Sequence, residues 1–501
     1  MLFNSLAYLI FFPAVVSLFF LLPHRFRWIM LLGASYYFYL SWKAEYLVLI
    51  LFSTLLSYYC ALQIEQRPNA RKAWLWLSIL GNLSVLFFFK YFNFLGEATQ
   101  SLLSAVQIDI VPPYLDFLLP VGISFYTFQT LSYTIDIYRG QQKAERHLGL
   151  YALYVSFFPQ LVAGPIERSG NLLPQFKTRQ VLRYESIASG VQQMLWGFFK
   201  KLVVADRLAL YVNEIYADPQ QFSGLTLLLA TILFSFQIYC DFSAYSDIAI
   251  GTARCMGYDL MENFRRPYFA RSVAEFWRRW HISLSTWFRD YLYIPLGGNR
   301  VSVPRWYLNL LIVFLVSGLW HGANWTFVFW GGLHALYLIG SLLVGSFGER
   351  FSQSADRISH PSQRGAGRGS QASLLRRTHH QSTNAIRRYG MQTISILFTY
   401  SLVLFAWIFF RAETLGDAFY VVGKILDFSG PVYYQGFFLI HLVYSFLAIA
   451  ILMGVELYQE YGKKFTLLVF AGRNHLQYAM LVVAILLLGV FDGGQFIYFQ
   501  F

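Results

Sequence analysis

The sequence predicts an all-α polytopic membrane protein, and three observations carry that prediction. Charged residues make up 13% of the chain and hydrophobic residues 56%, whereas a soluble domain carries about 25% charged residues. Mean hydropathy is +0.45. Apolar runs long enough to cross the hydrocarbon layer recur along the whole length, and the loops between them alternate in charge. The net charge of +13 in so apolar a chain points to basic loops facing an anionic cytoplasmic leaflet, and no nucleic-acid module is visible. Cys60, Cys240 and Cys255 have no metal or redox spacing and read as small packing residues.

The first apolar run, Leu6–Leu22, lacks a basic n-region and an A-x-A site, so it reads as a retained span. Arg25 and Arg27 follow it, which places the N-terminus outside. Further spans are expected at 28–42, 46–62, 74–92 and 117–137. Their loops fit this topology: 63–73 and 139–147 are basic, and 93–116 carries Glu97, Asp109 and Asp116 without a base. The run 148–164 has basic segments on both flanks and contains Pro159 and Gly164, so it reads as re-entrant, beneath a cytoplasmic cavity. The next helix, 187–213, has to cross despite Lys200 and Lys201.

Segment 224–250 is a long helix with Asp241 and Asp247 in its last third. Two readings stand evenly there: carboxylates facing a bundle interior or water-filled cavity, or carboxylates solvated at headgroup level. Residues 272–293 read as one in-plane amphipathic helix, opened by the capping box Ser272–Glu275 and closed by Pro295 and Gly297–Gly298. Val273, Trp277, Trp280, Leu284, Trp287 and Tyr291 form its apolar stripe, with His281 at the edge. Segment 306–345 reads as a helical hairpin broken at His321. Its first arm, Trp306–Trp320, measures roughly 22 Å at 1.5 Å per residue and leaves His321 inside a hydrocarbon slab about 30 Å thick.

Residues 346–390 form a basic low-complexity cytoplasmic loop within a single membrane domain, with eight arginines against Glu349 and Asp356. Spans at 391–411, 436–458 and 474–491 follow, and the loops between them leave the C-terminus outside. No internal repeat of the transporter kind is visible.

Among ten histidines, His24, His147, His360, His379 and His380 lie in basic loops, His441 and His475 open late helices, and His334 reads as a satisfied core residue. His281 and His321 remain. A histidine in lipid is costly, and burial favours its neutral form, which is a capable general base for a hydroxyl. Gly318 and Gly322 leave room beside His321 for a substrate. A structural histidine bonded to a carbonyl is an even alternative on these grounds alone. A metal site fits poorly, since the two histidines are 40 residues apart without an HxxxH or cysteine partner.

The stretches WRRWHISLSTWFRDYLYIPLGGNR and SGLWHGANWTFVFWGGLHALYL resemble the membrane-bound O-acyltransferase superfamily, in its alginate O-acetyltransferase (AlgI-like) branch. FFPQLVAGPIER, QIYCDFSAYSDIAIG and the terminal FIYFQF support the resemblance, which runs in order along nearly the whole chain and is weak only across 346–390. It implies about 11–12 transmembrane helices with re-entrant and in-plane helices around a central tunnel, in a bacterial inner-membrane enzyme. The family's essential histidine falls on His321 and the branch's second one on His281.

Arg278, Arg279 and Arg289 are candidates to attract an anionic donor, with Asp241 and Asn324 as further substrate-binding candidates. The donor implied is acetyl-CoA or an acyl-carrier thioester, with no bound cofactor or metal. The acceptor implied is an extracytoplasmic polysaccharide, alginate or a similar exopolysaccharide. Peptidoglycan, cellulose or teichoic acid (with D-alanyl as the acyl group) are alternatives. The partners implied are a periplasmic SGNH-hydrolase-like acetyltransferase, a polysaccharide synthesis-export complex and membrane lipids. Two non-enzymatic readings compete: a transporter of lipid-linked sugar, which the intramembrane Asp and His residues suit, and a scaffold of an export complex. The scaffold reading predicts that His281 and His321 are dispensable.

Overall fold

In the computed structural model the described residues are 1–501 except 117, 359–371, 435–437, 463–474, 492–495 and 497–501; side chains at 345–389, 438 and 475–477 are likewise outside the description. Among the described residues the chain is helical throughout, with no strand. In order the helices are α1 (Leu6–Leu21), α2 (His24–Leu40), α3 (Leu47–Gln66), α4 (Arg71–Leu86), α5 (Phe92–Ala105), α6 (Ile123–Tyr138), α7 (Leu148–Ser156), α8 (Phe158–Leu161), α9 (Ser169–Lys177) and α10 (Tyr184–Phe198). They continue as α11 (Asp206–Ala217), α12 (Gly224–Cys255), α13 (Val273–Arg279), α14 (Ile282–Phe288), α15 (Val303–His321), α16 (Trp325–Ile358), α17 (Ala372–Arg411), α18 (Leu415–Leu426), α19 (Phe438–Tyr461) and α20 (His475–Leu488).

Seven helical segments among the described residues are long and apolar enough to cross a membrane: Ala44–Gln66, Pro68–Ala105, Gly224–Cys255, Val303–His321, Trp325–Val344, Gly390–Arg411 and Leu439–Tyr461. Leu6–Leu21 and Tyr478–Leu488 are shorter apolar helices. The expected span 117–137 appears as α6, but nearly every side chain from Ile123 to Thr134 is buried, hydroxyls and Gln129 included. It is an interior helix, which explains a polarity that a lipid-facing helix would not tolerate.

Three expectations need correcting. The span expected to end at residue 92 continues through the π-turn Phe87–Tyr91 into α5. It stops only where Gln107 takes φ +62° and the Ile108 N–H bonds the Leu103 carbonyl, a helix end usually marked by glycine. The loop expected between the spans 391–411 and 436–458 contains α18, capped by Thr414, whose Oγ1 accepts from Asp417 N at 3.1 Å. The amphipathic helix 272–293 is two short helices with a π-turn, Arg289–Tyr293, at its end. Its capping box and glycine stop hold, since Ser272 caps α13 and Gly297 and Gly298 have positive φ. Continuity fails at His281, which takes φ +42°. There the segment 263–265 crosses the chain, with Ile282 N bonding Asn263 O at 2.9 Å and Arg265 N bonding Arg279 O at 2.8 Å.

The segment 148–164 is broken at Phe157 between α7 and α8, and its residues from Tyr151 onward are buried. Its tip presses on the turn before α6, where the left-handed Gly122 leaves no space for a Cβ against the Leu161 carbonyl. Of the expected loop 346–390, residues 359–371 lie outside the described residues; α16 extends to Ile358 and α17 starts at Ala372.

The helix 184–217 is continuous through a second π-turn, Phe199–Ala205, and packs along α12. Gly190 and Gly251 face each other's carbonyls there, so small residues let the backbones approach. The two lysines are buried against α12. Lys201 Nζ lies 2.5 Å from Asp241 and 2.8 Å from Asp206, and Lys200 Nζ 2.6 Å from Asp247. The interior reading of Asp241 and Asp247 is therefore the one observed.

Candidate active site

His321 is the last residue of α15, where Gly322 turns the chain to extended geometry before α16. The hairpin is held close by Gly318 and Gly331, each against a carbonyl of the opposite arm, Phe327 and Phe314 respectively. The imidazole is 3% exposed, between the edges of Trp320 and Trp330 at 5.0 Å each and Phe410 at 5.4 Å. Beside it is a cavity of about 40 Å³, lined by Lys90, Leu119–Phe125, Val162, Trp320 and His321. That is room for little more than one water.

His281 is fully buried at the break between α13 and α14. Asn263 Oδ1 accepts from Ser283 N at 3.2 Å and Ser283 Oγ at 2.9 Å, and it lies 3.0 Å from His281 Nδ1. The backbone donor identifies that Asn263 atom as oxygen, so Nδ1 must carry the proton and Nε2 the lone pair. Among the described residues Nε2 has no hydrogen-bond partner. Burial pushes the imidazole well below the ordinary histidine range, so this lone pair is free of a proton at neutral pH. Trp320 stands between the histidines, 5.8 Å from the His281 ring and 5.0 Å from that of His321.

A second cavity, of about 460 Å³, touches His281's partner Asn263 and shares no lining residue with the first. Lys200, Arg254, Arg265 and Arg266 and the carboxylates Asp247, Glu262 and Glu456 give it charged walls of both signs. The buried Glu167 accepts from Met261 N and, at 2.9 Å, from Asn171, fastening the chain between α8 and α9 to the 259–263 loop; burial raises its carboxyl to about 6.

The other expected site residues are dispersed. Arg278 is exposed, and Arg289 is exposed and paired with Asp290 at 2.7 Å. Arg279 is bound by Glu275 at 2.7 Å and Glu460 at 2.9 Å. Asp241 belongs to the Lys201 pair, away from both histidines' cavities. Asn324 caps α16, accepting from Thr326 N at 3.0 Å, and donates to the Glu413 carbonyl. His334 accepts from Trp277 Nε1 at 3.2 Å in the core. Asn263 and Lys90 escaped the sequence reading, because each acts on a residue distant in sequence and neither carries a spacing signal. No group of three or more potential metal ligands occurs among the described residues.

Known proteins place this arrangement in a family. Residues 147–368 match the membrane-bound O-acyltransferase family, a stretch that includes both histidines. The chain is 37% identical over 435 residues to the probable alginate O-acetylase AlgI of Pseudomonas aeruginosa, covering 86% of this chain and 75% of that one. It is 42% identical over 344 residues to the protein of that name from Azotobacter vinelandii, covering 68% of each. It is also 35% identical over 431 residues to the peptidoglycan O-acetyltransferase of Helicobacter pylori, covering 80% of this chain and 74% of that one. A multi-pass helical chain with this identity over most of its length belongs to the membrane-bound O-acyltransferase family and is an acyltransferase.

Proposed function

We propose that the protein takes an acetyl group from a cytoplasmic thioester, acetyl-CoA or an acyl carrier, and passes it across the bacterial inner membrane for O-acetylation of an extracytoplasmic polysaccharide, alginate or a similar exopolysaccharide. The observation that carries this reading is His321, buried at the break of a membrane hairpin and lining a cavity. His321 takes the proton of the acceptor hydroxyl as its oxygen attacks the thioester carbonyl. The C–O bond forms, the C–S bond breaks, and the thiolate leaves as thiol with the proton His321 held. His281 presents its Nε2 lone pair to polarise or orient the reacting group.

The cavity beside Asn263 offers Arg254 to an anionic donor, in the place first expected of Arg278, Arg279 and Arg289, while its other cations Lys200, Arg265 and Arg266 are held by Asp247, Glu262 and Glu460. By the loop charges it opens to the cytoplasm, and the His321 cavity to the outer side. A periplasmic hydrolase-like transferase and a polysaccharide synthesis-export complex are the partners the family resemblance implies if the acetyl group is handed on. Peptidoglycan is the second acceptor, favoured by the Helicobacter relative.

The test is polymer O-acetylation in cells carrying His321→Ala at normal membrane levels. Loss of acetylation is expected, and retained acetylation would sink the assignment and favour a transporter or scaffold. Acetylation of peptidoglycan but not of exopolysaccharide would decide for the second acceptor.

A further inference from the structure

We infer that Lys90 and Tyr91 are positioning residues for His321: together they hold the last three carbonyls of the helix that ends on it. Lys90 Nζ donates to Trp320 O at 2.7 Å and to His321 O at 3.0 Å, and Tyr91 Oη donates to Leu319 O at 2.9 Å. These carbonyls have no N–H of a following helical turn, because α15 stops at His321. A cation at a helix C-terminus also meets the negative end of the helix dipole.

Both residues belong to the π-turn Phe87–Tyr91, within the membrane-length helix Pro68–Ala105. A lysine inside such a helix is costly and calls for a purpose. Among the described residues Lys90 makes no ion pair, and its two hydrogen bonds both go to this helix end. Lys90 also lines the same cavity as His321. A π-turn departs from regular helix and recurs at functional sites. The carbonyl that Lys90 grips belongs to His321 itself, so any slackening there moves the imidazole relative to the cavity. A misplacement of about 1 Å can cost a factor of about 100 in rate.

The inference rests on His321 being the reacting base, and one set of variants separates the two claims. Purified full-length protein in lipid nanodiscs is given acetyl-CoA and an alginate oligosaccharide, and kcat and KM are measured for the wild type, Lys90→Met, Lys90→Arg, Tyr91→Phe and His321→Ala. Lys90→Met is expected to lower kcat by about 10- to 100-fold with KM for acetyl-CoA changed by less than about twofold. Lys90→Arg recovers much of the loss, and Tyr91→Phe lowers kcat by a smaller factor. Unchanged kcat in Lys90→Met, a loss confined to KM, or an Arg variant no better than the Met variant overturns the inference. If Lys90→Met is not recovered folded, Lys90→Arg and Tyr91→Phe decide by the same split: a kcat loss in Tyr91→Phe supports the clamp, and wild-type kcat in both overturns it. Activity in His321→Ala equal to the wild type instead overturns the functional reading itself.

Discussion

At the residue scale, the chemistry open to His281 depends on one amide oxygen. Asn263 Oδ1 takes three donors, and by accepting from Nδ1 it leaves Nε2 as the imidazole's basic nitrogen. Asn263 Nδ2 is in turn held by Ser246 Oγ at 3.0 Å, so the amide has little freedom to flip. Removing it strands buried donors at a cost of about 1–3 kcal/mol. Asn263→Ala is therefore expected to lower kcat more than KM, with the melting temperature in detergent falling as well. A variant with wild-type kcat would show that the orientation of His281 is immaterial to turnover.

At the element scale, the helices that carry lysines into the bundle do so at irregular turns. Lys90 stands in the π-turn 87–91, and Lys200 and Lys201 in 199–205. In 199–205 the wider turn lets adjacent lysines both reach α12, one to Asp247 and the other to Asp241. Lys201 is buried with both its carboxylate partners, whereas Asp247 borders the large cavity. Breaking a buried pair from one side costs about 3–5 kcal/mol because a charge is left unpaired. Lys201→Met is expected to destabilise the protein on that scale, and Lys200→Met by less, as measured by thermal unfolding in detergent. Equal losses would mean that the cavity does not hydrate Asp247.

At the scale of the whole molecule, two cavities that share no lining residue stand by the histidines, one lined by His321 and Trp320 and the other by Asn263, the partner of His281. Loop charge assigns 139–147 to the cytoplasm and 93–116 to the outside. Asp109 and Gln141 are exposed representatives of the two segments, and the three native cysteines are buried, so background labelling should be low. Asp109→Cys is expected to react with a membrane-impermeant maleimide in intact spheroplasts, and Gln141→Cys only after the membrane is opened. The reverse pattern would invert the topology and with it the side from which the donor arrives.

The sequence by itself determined the membrane class, the broken hairpin at His321 and the capped start at Ser272. Each is a local matter of hydropathy, a breaker or a cap, and local signals survive in a string of residues. It left open whether Asp241 and Asp247 are solvated, and it read 272–293 as continuous. Only the tertiary structure settled these, through partners elsewhere in the chain: Lys200 and Lys201, 47 and 40 residues before Asp247 and Asp241, and Asn263 across from His281. The left-handed turn at His281 shows the reason most directly. Its helical periodicity is intact in the sequence, but bonds to a crossing strand of chain outweigh the local preference for helix and set the imidazole where it stands.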